Sequence, residues 1–165
     1  MSEPATTAPK PSPGRIFLVI ADDTEEMRAA LRYACRRAQR TRGRVALLHV
    51  IEPEEFQHWL GVGKVMEDER RQEAERSLQL LANEVYEMTG TLAVLYLREG
   101  RRRDEVLALL DEEPAISILV LATASGRSDP GPLVSHLVAN MGGRVRTPVT
   151  LIPGHLSVEA IDASA

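Results

Sequence analysis

Residues 118–153, ILVLATASGRSDPGPLVSHLVANMGGRVRTPVTLIP, decide the fold. The apolar run from Ile116 to Ala122 has the composition of a strand covered on both faces. Thr123 to Gly131 is rich in small and turn-forming residues and reads as a loop. Pro132 opens a helical stretch to Asn140, since proline is tolerated in the first turn of a helix. Val149 to Ile152 is a second short apolar strand, and prolines 148 and 153 at its ends place it at a sheet edge. A strand, loop, helix and strand in this order form the unit in which an α/β protein holds a phosphate. Yet the glycines that would let a phosphate lie close to the backbone are largely missing from this loop.

The same alternation extends back to Arg15. Arg15–Ala21 (RIFLVIA) is a continuous apolar strand that stops at Asp22, Asp23 and Thr24. A helix follows, with Asp23 and Glu26 at capping-box spacing or Thr24 as the alternative cap. Met27, Leu31, Ala34, Cys35 and Ala38 fall on one face of that helix, and Gly43 ends it. Arg44–Val50 is the second strand. Pro53–Lys64 is an irregular insert carrying Phe56, Trp59 and Leu60, read as a small cluster on the sheet edge, with a lid or dimer contact as the functional version. A long helix runs from about Val65 to Thr89, its stripe formed by Ala74, Leu78, Leu81, Ala82, Val85 and Met88, and Gly90 stops it. Leu92–Leu97 is the third strand, and Asp104–Asp111 a short helix. The pattern predicts an α/β domain over residues 14–153, a five-stranded parallel sheet with right-handed crossovers and helices on both faces. Residues 1–13 are expected to be a disordered tail, and residues 154–165 a second, loose one.

Composition narrows the function. A chain of 165 residues with 44% apolar content supports a single core. A net charge of −4 gives no general attraction to nucleic acid or to an anionic membrane. Arg36, Arg37, Arg40, Arg42 and Arg44 complement the C-terminal dipole of the first helix and read as a solvated face, and Arg101–Arg103 form a second basic run. The 4% aromatic content offers nucleic-acid bases few stacking surfaces. One cysteine, Cys35, forms no internal disulfide and suits a reducing cytoplasm. It sits on the buried helix face and is expected to be inert, and His49, inside an apolar run, a packed core residue. No His or Cys lies at metal spacing from His49.

Two motifs are rejected on chemistry. Gly61-Val62-Gly63-Lys64 lacks both the hydroxyl residue after the lysine and the preceding strand of a phosphate loop, and reads as a hinge. The pair Asp22 and Asp23, with Thr123 after the fourth strand, suggests a phosphotransfer receiver. That reading needs an aspartate after the third strand and a lysine after the fifth, where this chain has Leu97-Arg98-Glu99 and Ile152-Pro153-Gly154. No set of residues at catalytic spacing emerges, and an enzyme is not expected.

Four segments in order, FLVIADDTEEM, ALLHVIEP, REG with its short helix, and ILVLATASGR through RTPVTLIP, resemble the universal stress protein family from about Arg15 to Pro153. The resemblance implies a Rossmann-like fold, a cytoplasmic role in the stress response, and a homodimer paired through the edge strand Val149–Ile152. Nucleotide-binding members of that family carry G-x-x-G-x9-G-[ST] after the fourth strand. Registered on Pro148, the matching positions are Ala122, Ser125, Ser135 and His136, with Gly126 one place late. The resemblance therefore implies the branch without ATP, a non-enzymatic binding or interaction module with a degenerate pocket formed by Asp22, Val50, Ser125, Gly126, Arg127, Ser135 and His136. No cofactor or metal is expected. The alternative is an ATP- or AMP-binding protein, a slow ATPase, using a shifted loop of Ser125, Gly126, Arg127, Ser128 and His136.

Overall fold

A computed structural model describes residues 14–53, 63–126 and 128–165. Strands β1 (Ile16–Ile20), β2 (Arg44–Ile51), β3 (Val94–Glu99), β4 (Ile116–Thr123) and β5 (Val149–Pro153) pair in parallel in the order β3-β2-β1-β4-β5. Helices α1 (Met27–Thr41), α2 (Gly63–Thr89), α3 (Arg102–Glu112), α4 (Pro132–Asn140) and α5 (Val158–Ser164) complete the chain order. The expected parallel α/β fold is the one observed.

Successive side chains of a strand point to opposite faces, so the central strand divides the interior in two. Phe17, Val19 and Ala21 pack toward α1, α2 and α5, while Leu18 and Ile20 pack toward α3 and α4. The predicted face of α1 is buried in full, and Ala74, Leu78, Leu81 and Val85 anchor α2 beside it. Among the described residues no polar or charged side chain is fully buried, so both cores are held by apolar contact.

Local chemistry departs from expectation at both ends of α1. The helix begins at Met27, later than a cap at Asp23 or Thr24 would place it, and Glu26 precedes it without any side-chain cap bond. Asp22 instead accepts from the N–H and hydroxyl of Thr24, at 3.3 and 2.5 Å, closing a turn before the helix. At the other end, Arg42 rather than Gly43 takes the left-handed conformation (φ 53°). Gly43 is required by contact, because a Cβ there would lie 2.4 Å from the Arg15 carbonyl oxygen.

The insert residues Phe56, Trp59 and Leu60 lie outside the described residues, as do Gly61 and Val62. Gly63 and Lys64 form the first turn of α2.

The C-terminal segment corrects the expectation of a loose tail. Residues 158–164 form α5, whose N-terminal Ser157 side chain accepts from the Ala160 N–H at 3.2 Å. Ile161 is buried in the core shared with α1, and Asp162 reaches back to three arginines of that helix. Arg32 donates to both carboxylate oxygens at 2.7 Å, Arg36 to both at 3.2 and 3.5 Å, and Arg40 to the Asp162 carbonyl at 2.9 Å. Part of the arginine group read as a solvated face therefore docks a helix. Two-pronged pairing of this kind fixes orientation as well as distance.

Truncating Ile161 to Ala should lower unfolding free energy by about 2–5 kcal/mol, the usual cost of an emptied aliphatic site. Chemical denaturation would read this, and a change within about 0.5 kcal/mol would mean that α5 is not seated in the core. The hydrogen bond from Arg32 holds the Asp162 carboxyl down at about 2. An unfolded carboxylate titrates near about 3.9, so this pair stabilises the fold above that pH and the benefit fades as pH falls through about 2. The difference in Tm between the wild type and Asp162→Asn should be constant near neutrality and shrink between about pH 4 and pH 2. A pH-independent difference would exclude the ion pair as its source.

Candidate functional site

The chain leaves β1 toward β2 on one side and leaves β4 toward β5 on the other. In a parallel sheet such a reversal opens a crevice beyond the carboxyl ends of the two strands. Here it holds a cavity of about 290 Å³. Asp22, Thr24, Glu26 and Met27 contribute from the segment after β1, and Ala122 and Ala124 from the end of β4. Pro130 to Val134, leading into α4, form the opposite wall, and Arg102 enters from α3. The lining is mostly apolar, with two carboxylates, a hydroxyl and one guanidinium as its ionic and polar side chains. Asp22 spends one carboxylate oxygen on the Thr24 turn. Glu26 reaches across to the loop after β4, where its Oε1 accepts from the Ser125 N–H at 3.2 Å.

Two further donors of that loop are also occupied internally. The Ala124 N–H donates to the Pro130 carbonyl at 3.3 Å, and the Gly131 N–H to the Asp129 carboxylate at 2.9 Å. Gly126 takes a positive φ of 69°, so the loop does turn on a glycine, one position later than the family motif places it.

The sequence-selected residues do not all converge. Asp22 lines the cavity, as does Ala122 at a motif position. Val50 is buried in the core facing α3 and α4, away from the lining. Ser125 and Gly126 are exposed at the loop surface, and Arg127 lies outside the described residues. Ser135 and His136 sit beyond the first turn of α4 rather than at its start. The Ser135 N–H is used within the helix on the Gly131 carbonyl at 3.0 Å, and its hydroxyl lies 3.4 Å from Asp129. The His136 carbonyl accepts from the Asn140 side chain at 2.7 Å. Neither residue lines the cavity.

Glu26 and Arg102 are the site residues that sequence reading missed. Glu26 was assigned to a capping box and Arg102 to a basic run. The available signal was their place in the segments that follow β1 and β3.

Other reactive groups are quiet. Burial pushes the Cys35 thiol up to about 12, which removes it as a thiolate nucleophile near neutrality. The His49 Nδ1 is buried without a hydrogen-bond partner among the described residues. Those residues contain no cluster of three or more His, Cys, Asp or Glu able to hold a metal ion, and no helix long and apolar enough to cross a membrane.

Comparison with known proteins agrees with the topology. The chain is similar to the universal stress protein UspA from Lactobacillus plantarum, with 18% identity over 86% of this chain and 99% of that one, and a TM-score of 0.70. It is also similar to the universal stress protein from Archaeoglobus fulgidus in complex with dAMP, at 17% identity over 84% and 97% of the two chains, TM-score 0.59. A third similar structure is an Arabidopsis thaliana universal stress protein family protein with AMP bound, at 16% identity over 84% and 91%, TM-score 0.59. At these identities the likeness establishes the fold. No curated protein matches the sequence. The universal stress protein family model matches residues 14–153, most of the chain, and the protein belongs to that family.

Proposed function

We propose that the chain is a non-enzymatic binding module of the cytoplasmic stress response that works as a homodimer and whose pocket has lost its hold on phosphate. The cavity between β1 and β4 carries this reading. Its volume of about 290 Å³ is near the lower end of ordinary ligand sites, about 300–1,000 Å³, and its walls suit a flat apolar group. Its polar equipment suits a phosphate poorly, with Asp22 and Glu26 set against Arg102 and the Ala124, Ser125 and Gly131 N–H groups used internally. The absence of glycine at positions 122, 125 and 135 accords with this. So does the buried, unreactive setting of Cys35, which removes that thiol as a nucleophile.

The second reading, an adenine-nucleotide-binding protein and slow ATPase, draws on two observations. Relatives of the same fold are seen with AMP and dAMP, and Gly126 supplies a turn in the loop after β4. Thermal melts of ligand-stripped protein with millimolar adenosine, AMP and Mg-ATP separate the two. A ligand at about 100 times its Kd adds roughly 2.7 kcal/mol, or several degrees at this size. The expected result is a shift with adenosine and little or none with ATP. A shift with ATP equal to that with adenosine, or steady ATP turnover, would favour the second reading.

The dimer is proposed through the β5 edge. Among the described residues that strand pairs only with β4, and Leu151 on it is 41% exposed. Unpaired edges either recruit a partner or must be protected. Light scattering at tens of micromolar should give twice the chain mass, and Leu151→Lys should shift it to the monomer. A monomeric wild type would overturn the dimer.

A further inference from the structure

Glu26 occupies an unusual position. It has helical backbone angles (φ −64°, ψ −29°) at the start of α1, yet its side chain makes no bond to that helix's own N–H groups. Its carboxylate crosses to the Ser125 N–H, 99 positions away in sequence. The stem of the side chain is confined by Gly154, where an added Cβ would lie 2.5 Å from Glu26 Cγ and 2.9 Å from its Cβ. Gly154 is itself fixed by its N–H donating to the Thr123 carbonyl at 3.2 Å. Three segments thus meet at one carboxylate, the residues after β1, after β4 and after β5.

Backbone N–H groups beyond the carboxyl end of a parallel strand are the donors an anionic ligand uses at such a crevice. We propose that Glu26 is a built-in occupant of the anion-facing donor, so that the cavity takes an uncharged nucleoside in preference to its phosphate. The inference rests on the nucleoside-sized pocket proposed above and specifies its charge selection. An incoming phosphate must first take the Ser125 donor from Glu26, and then sit beside the Asp22 and Glu26 carboxylates, whose like charge opposes it. Asp129 removes a second loop donor by holding the Gly131 N–H. Among the described residues Arg102 is the only cationic side chain lining the cavity, beside the carboxylates of Asp22 and Glu26. An uncharged ligand meets neither obstacle.

The experiment is calorimetric titration of adenosine and of AMP into the wild type, Glu26→Gln and Glu26→Ala, with each variant's melt recorded to establish folding. Because Glu26 makes no cap bond, the near-isosteric Gln variant should keep the fold even if Ala does not. The wild type should bind adenosine at least tenfold more tightly than AMP. Glu26→Ala should narrow or reverse that ratio by tenfold or more, chiefly through AMP. Glu26→Gln, which loses the charge but can still accept from Ser125, should fall between. Asp22→Asn, which removes a carboxylate without freeing the Ser125 donor, should move the ratio less than Glu26→Ala. An AMP-to-adenosine ratio unchanged across the series, or shifted equally by Asp22→Asn, overturns the role of Glu26 while leaving the pocket reading intact. If neither ligand binds any of the proteins, the pocket reading itself falls, and this inference with it.

Discussion

β1 lies third in a five-stranded sheet and exposes none of Phe17, Leu18 or Val19 to water, so both faces of the sheet must be covered along its length. Each such side chain contributes about 1.5–3 kcal/mol when removed from water, which makes covering those faces the dominant favourable term here. The connections follow from that need. Parallel neighbours can be joined only by crossovers, and each crossover brings a helix back over one face. With β2 and β3 on one side of β1 and β4 and β5 on the other, helices divide into α1, α2 and α5 against one face and α3 and α4 against the other. The crevice between β1 and β4 is where the two directions of winding part. The site is thus a by-product of how the central strand is buried.

The arginine-rich face of α1 shows how charge can stand in for hydrophobic area. α5 has 7 residues, too short to hold its shape alone, and Ile161 is its anchor in the core. Orientation comes from Asp162, gripped by Arg32, Arg36 and Arg40. A half-exposed ion pair adds little in isolation. Three guanidinium groups converging on one residue form a network, whose members need no separate ordering once α1 is folded. This also explains why the segment looked loose in sequence. HLSVEAIDASA has no sustained apolar period, and its partners lie about 130 positions earlier, where no local pattern can reveal them.

Legibility in the sequence tracked the range of the forces involved. The strands were readable because two-sided burial demands unbroken apolar runs, and only β3 shifted, starting at Val94 rather than Leu92. The buried face of α1 was readable from its 3.6-residue period. The caps were not, because Asp22, Asp23 and Thr24 offer competing local bonds, and Asp22 closes a turn with Thr24 ahead of the helix. At the site, Asp22 was recoverable from its place after β1. Ser135 and His136 were selected by register on Pro148, but they lie beyond the first turn of α4 and do not line the cavity. Glu26 could not be found by spacing at all, because its partner Ser125 is distant in sequence.

Missing glycines do not by themselves explain a pocket that turns phosphate away. Gly126 still gives the loop after β4 a left-handed turn, and a cavity of useful size remains beside it. An exposed backbone donor attracts anions whatever residues flank it, so a loop that merely lost its glycines would bind phosphate weakly rather than refuse it. What sets this loop apart is that three of its donors already have acceptors: Pro130 for Ala124, Glu26 for Ser125, and Asp129 for Gly131. Two of those acceptors are carboxylates, which satisfy the loop and at the same time oppose any competing anion. A sequence that places acids there stabilises its own loop without a ligand and narrows the pocket to uncharged molecules, both through the same two hydrogen bonds.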